Sequence, residues 1–161
     1  MVATPIAAST RYYPPGTREV YWVPAIANKN APSRAELDAG TNLTGEISAM
    51  AGFSVASATI SVPDLANRFA PDIPGQITAQ SSSITMYTSE DSQDVRQIMP
   101  RDSAGFICVL WEGDTPGHLM DVFPVTVTSA PKDVTTTNAG TIMIDFAVTS
   151  VPIENVVIPA S

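Results

Sequence analysis

Apolar and polar residues alternate at period two through most of this chain, the pattern that a half-buried β-strand requires. In Glu19-Val20-Tyr21-Trp22-Val23-Pro24-Ala25-Ile26, the residues Val20, Trp22 and Ile26 share one face, and Pro24 marks an edge or the end of pairing. Further strands are expected over 105–111, 118–129 and 141–151, separated by turn signals at Gly113-Asp114-Thr115-Pro116-Gly117 and Thr137-Asn138-Ala139-Gly140. Between 44 and 62, Ile47, Met50, Phe53, Val55, Ile60 and Val62 stand among small residues. Gly45 and Gly52 count against a helix there, so two strands or one long bent strand fit. Residues 77–88 read as one more half-buried strand.

Helical signals occur in two places. Ser33 and Glu36 have the spacing of a capping box and Gly40 that of a C-terminal stop, which predicts one or two turns over 33–40. Ser89 is placed to cap a helix over 90–99, with Val95, Ile98 and Met99 inward and Pro100 ending it. Between these elements, 63–75 carries Pro63, Pro71 and Pro74 yet still offers Leu65, Phe69 and Ile73, and a loop this long and apolar needs a surface to bury against. The expected fold is therefore mainly β: a β-sandwich or barrel with one flanking α-helix at about 90–99 and a long inter-strand loop at 63–76. The expected organisation is an N-terminal arm over 1–17, a β domain over 18–151 and a C-terminal tail over 152–161. Pro152 and Pro159 bracket that tail, and its Ile153–Ile158 stretch is suited to adding a strand to this subunit or to a neighbour.

Composition changes the picture in one respect. Charged residues are only 15% of the 161, well under the quarter usual for soluble domains, so much of the surface is expected to be covered by partners. The formal net charge is −8, and the 8 basic residues are scattered, which argues against attraction to DNA or to anionic membrane. The first nine residues lack a basic segment followed by an apolar one, so no signal peptide is expected. No apolar run reaches membrane-spanning length.

Candidate chemistry is sparse. The one histidine, His118, follows a turn, and no serine sits in a Gly-x-Ser-x-Gly elbow, so no nucleophile has its base. The one cysteine, Cys108, lies in an apolar run and reads as a buried, inert thiol. Asp91 with Asp94, and Glu112 with Asp114, are acid pairs that a helix cap or a solvated turn explains. Trp22 and Trp111 lie in alternating strands, where core packing explains them better than a sugar-stacking platform. No catalytic, cofactor-binding or metal-ligating residue is expected.

The order of these parts resembles the tail tube proteins of long-tailed phages, the family that includes the phage lambda major tail protein. The parts that carry the resemblance are the arm; the strand at Val20–Ile26; the opener Leu37-Asp38-Ala39-Gly40-Thr41-Asn42-Leu43; the paired strands around Gly52-Phe53; the loop from Pro63 to Gly75; Ser82-Ser83-Ile84-Thr85-Met86; the helix at Asp91–Met99; and Met120-Asp121-Val122-Phe123-Pro124-Val125-Thr126-Val127. The resemblance implies a structural, non-enzymatic subunit of the virion, assembled in the host cytoplasm. Six copies would close into a ring, and rings would stack into a tube for DNA ejection. Implied partners are further copies, the tape measure, tail tip and terminator proteins, and DNA that passes without specific binding. The implied contact residues are Leu65, Phe69 and Ile73 in the loop, Tyr12 and Tyr13 in the arm, and Ile153 and Val156 in the tail. Acidic side chains such as Asp64, Asp72, Glu90 or Asp145, if they face the channel, would repel phosphates and let DNA slide. Alternatives are a tube protein of a type VI or contractile injection system, or a carbohydrate-binding or capsid-decorating β-sandwich.

Overall fold

The computed structural model describes residues 3–133 and 135–160. The elements are β1 (Glu19–Val23), α1 (Arg34–Asp38), β2 (Thr41–Asn42), β3 (Ile47–Ala51), β4 (Val55–Ser61), β5 (Asp72–Ala79), β6 (Ser82–Tyr87), α2 (Val95–Ile98), β7 (Ala104–Leu110), β8 (Leu119–Ser129), β9 (Lys132–Asp133), β10 (Thr141–Val148) and β11 (Ile153–Val157). The fold is mainly β, as the alternation predicts, and its large sheet is antiparallel throughout and does not close into a barrel.

The order in that sheet is β2-β1-β7-β8-β10-β6-β3, with β11 added to β8 and β9 to β10. β8 is the spine. β7 pairs along one of its edges from Met120 to Thr126, while the other edge is shared between β11 at Leu119–Val122 and β10 at Val125–Ser129. Period-two alternation then sends side chains to two cores. Ile84, Ile107, Phe123, Val125, Ile142 and Ile144 fill the larger one with Val20 and Trp22, whereas Cys108, Leu110, Met120 and Val122 meet Leu37 of α1 and Val156 on the opposite face. At about 1.5–3 kcal/mol for each large apolar side chain buried, these two clusters hold the sheet together.

α1 forms where its caps require. Ser33 accepts from the Glu36 amide while the Glu36 carboxylate accepts from the Ser33 amide. The second helix is much shorter than the 90–99 expected. Asp91 and Asp94 carboxylates accept from the Gln93 and Ser89 amides, Ser92 sits at φ 63°, and Asp94 rather than Ser89 caps the single turn of α2. Side-chain acceptors there satisfy backbone donors without helix.

The region 47–87 also departs from expectation. The expected single strand at 77–88 is two strands, β5 and β6, and the expected loop at 63–75 ends at Pro71, because Asp72–Gly75 belong to β5. Four strands here make one bent hairpin. β3 pairs with β6 and β4 with β5, and from Ala51↔Ser83 to Val55↔Ala79 the register advances four residues on one side and retreats four on the other. The ladder is therefore continuous through the bend, where the Gln80 amide donates to the Ser54 carbonyl at 3.0 Å and the Phe53 amide to Ser82 Oγ at 3.0 Å. Gly52, at φ 81°, turns the chain, and a Cβ there would overlap the Ser81 carbonyl oxygen. Phe53 pins the bend to the core, edge-on to Phe123 with ring centres 5.4 Å apart.

Candidate assembly surface

Beyond the bend, β4 and β5 form a separate two-stranded sheet. Neither outer edge has a strand partner among the described residues, and an isolated pair of strands is marginal in water. Its side chains offer little shelter. Ile60 pairs across the hairpin with Ile73, and both are half exposed, as is Ile77. Pro74 is tolerated in β5 because a two-stranded sheet consists only of edges.

At the tip the Val62 amide donates to the Pro71 carbonyl at 2.8 Å. The Asp64 carboxylate accepts from the side chain of Asn67 and from the Ala66 and Asn67 amides, which together hold it below the usual carboxylate range. This turn pushes Leu65, 109% exposed, and Phe69, 78% exposed, into solvent together. Of the three expected loop contacts, these two share the tip, while Ile73 lies on the strand below them. Ile60 shares a face with its pair partner Ile73, whereas the register shift in the hairpin turns Ile77 to the other face, beside Val148 and Val151. Sequence reading placed Ile60, Val62 and Ile77 in strands and missed only the 72–76 part of β5, which Pro74 and Gly75 disguised as loop.

The arm and tail behave differently from one another. Residues 3–13 carry no regular structure, Tyr12 donates to the Trp111 carbonyl at 3.1 Å, and Tyr13 stays 76% exposed. Residues 1 and 2 of the expected arm lie outside the described residues. The tail, in contrast, is taken into its own subunit. β11 pairs with β8, Val156 is buried in the second core, and Ile153 packs partly against it. The open half-edge of β8 captures this segment, so the expected contact at Val156 is corrected to a place inside the subunit.

The remaining polar groups serve local structure. The Arg34 guanidinium forks onto both Asp114 oxygens at 2.6 Å, and Tyr21 also donates to Asp114. Arg34, then Tyr21, holds the Asp114 carboxyl below its ordinary range, while desolvation first and then Glu19 and Asp114 push the Tyr21 phenol up. Asp94 is paired with Arg96 at 2.6 Å. Among the described residues no group of three His, Cys, Asp or Glu side chains is arranged to hold a metal ion. Burial pushes the Cys108 thiol up to about 12. Trp22 is buried, and Trp111 lies under the Arg18 guanidinium at 4.3 Å with its Nε1 donating to Asp121, so neither indole is an open sugar platform.

The family model described as phage tail tube protein matches residues 7–161. Chains of similar fold occur in solved assemblies that include the following three. One, at 16% identity and a TM-score of 0.58, comes from the sheath-tube complex of an extracellular contractile injection system in its extended state and covers 94% of this chain and 100% of that one. A second, from the sixfold-symmetrised baseplate of the anti-feeding prophage, shows 8% identity and a TM-score of 0.56 over 95% of this chain and 98% of that one. The third, from the virion of a native gene transfer agent particle, shows 14% identity and a TM-score of 0.51 over 72% and 88%. No curated protein sequence matches.

Proposed function

Since this chain belongs to the phage tail tube protein family and is a structural subunit of a tail tube, we propose that six copies close into a ring and that rings stack into a hollow tube through which DNA leaves the virion. The observation that carries the reading is the distal half of the bent hairpin, a two-stranded arm with two unpaired edges and an apolar tip. Such an arm gains its stability by pairing with, or packing on, another copy.

The division into an arm, 1–17, a β domain and a tail takes its meaning from this assembly. The arm and the hairpin tip reach neighbours, with Tyr13, Leu65 and Phe69 as leading contacts and Ile73 beneath them, while the β domain holds the ring. The net charge of −8 per copy suits a channel that repels phosphates and binds no base. The subunit works without an active site. Tape measure, tail tip and terminator proteins meet the tube along its channel and at its ends, and assembly takes place in the host cytoplasm.

Negative-stain electron microscopy of the purified, concentrated protein tests the reading. Hollow tubes or sixfold rings are expected, with or without tail-tip seeds. Monodisperse monomers at every concentration, even with seeds, would overturn it.

A further inference from the structure

A groove of about 370 Å³ runs between the turn at Pro14–Gly16 and strand β3. Val20, Ile47 and Met50 form its apolar wall, Ala49 lies exposed at its rim, and Arg18 is the one charged residue lining it. Arg18 is held in place by its stack on Trp111, yet its Nε is buried with no hydrogen-bond partner among the described residues. The groove lining supplies no carboxylate for this cation and nothing to cover its apolar wall, so it lacks an anion as well as an apolar plug.

The hairpin tip has both. Leu65 and Phe69 supply exposed apolar side chains. Asp64 is already occupied by Asn67 and its neighbouring amides, whereas Asp72, at the base of the tip, is exposed and makes no ion pair among the described residues. Beyond the bend, β4 carries the tip on the order of 20 Å from the end of β3 that lines the groove, so the contact is assigned between copies. The N-terminal arm is the poorer fit, since residues 3–13 hold no carboxylate and Arg11 would repel Arg18.

Resting on the tail tube reading, we propose that the Leu65–Phe69 tip of one copy seats in the groove between the N-terminal turn and β3 of the next copy, where Asp72 meets Arg18. Tip and groove are different surfaces, so the contact is head-to-tail and repeats from copy to copy without closing on a pair.

Cross-linking in the assembled full-length protein tests this. Cys108 is fully buried, so introduced cysteines report alone. Ala49→Cys and Phe69→Cys chains, mixed, assembled and treated with a short bismaleimide, are expected to give a cross-linked dimer that neither chain gives by itself. Arg18→Glu should lower tube yield at least about tenfold, and adding Asp72→Arg should restore it. Tubes that form normally without the Ala49→Cys to Phe69→Cys product would overturn the socket and leave the tube reading standing. Cross-linking of Ala49→Cys to Tyr13→Cys instead would assign the groove to the arm and equally overturn it. Wild-type protein that never assembles, even with seeds, would remove both.

Discussion

β6 buries Ile84 and Met86 in the main core, whereas β5, its continuation on the same hairpin, leaves Ile73 and Ile77 half exposed. Residue pairing carries over from one half to the other across the bend, with a register shift within each half. What separates them is cover: β6 pairs with β10 and shares the main core with Phe123, while β4 and β5 pair only with each other among the described residues. Backbone pairing alone therefore does not distinguish a subunit's body from its arm. The body is stabilised by apolar burial within one chain, and the arm leaves much of its apolar surface exposed.

Breaking the body should produce the largest change. Phe123→Ala removes the side chain on which Phe53 and the bend rest, and urea unfolding should show a loss of about 3–5 kcal/mol. Gly52→Ala, at the boundary, combines a positive φ with backbone overlap and should destabilise by about 2 kcal/mol. Hydrogen exchange should show the β4–β5 amides losing more protection than those of β7 and β8.

Asp114→Asn, on the far side of the body, should cost about 1.5 kcal/mol at neutral pH. Its effect is pH-dependent with a definite sign. The folded-state carboxyl titrates below its unfolded value near 4, so the pairing with Arg34 contributes fully above that pH and is lost as pH falls through the lower folded value. Urea midpoints of wild type and variant should therefore converge below about pH 4. Smallest in stability is the double variant Leu65→Ala and Phe69→Ala, within about 0.5 kcal/mol of wild type. Electron microscopy should nonetheless show tubes shortened or absent, and unchanged tube length and yield would remove the tip from the contact.

Legibility in the sequence followed the same divide. β1, β7, β8 and β10 were readable because one buried face imposes strict alternation, and α1 because Ser33 and Glu36 cap it within one turn. The distal hairpin was readable only in part: strands were expected through 44–62, which holds β4, and from 77 on, but 72–76 of β5 was missed because Pro74 with Gly75 imitates a loop. Leu65 and Phe69 were singled out all the same, as large apolar side chains among prolines, and both stand exposed at the tip. Arg34 and Asp114 lie 80 residues apart, and only folding brings them together. The groove beside Arg18 was hidden for the same reason, as it joins the N-terminal turn to β3.

The register that runs unbroken through the bend also governs how this arm can change in evolution. A single inserted residue in either strand would reverse every side chain beyond it, or demand a bulge like the one already present between Ser57 and Thr59. Additions that preserve the faces must come as matched pairs, two residues on each strand. Arm length is thus quantised in steps of roughly 7 Å, and a family of such proteins would differ in reach by whole steps while their bodies stay the same.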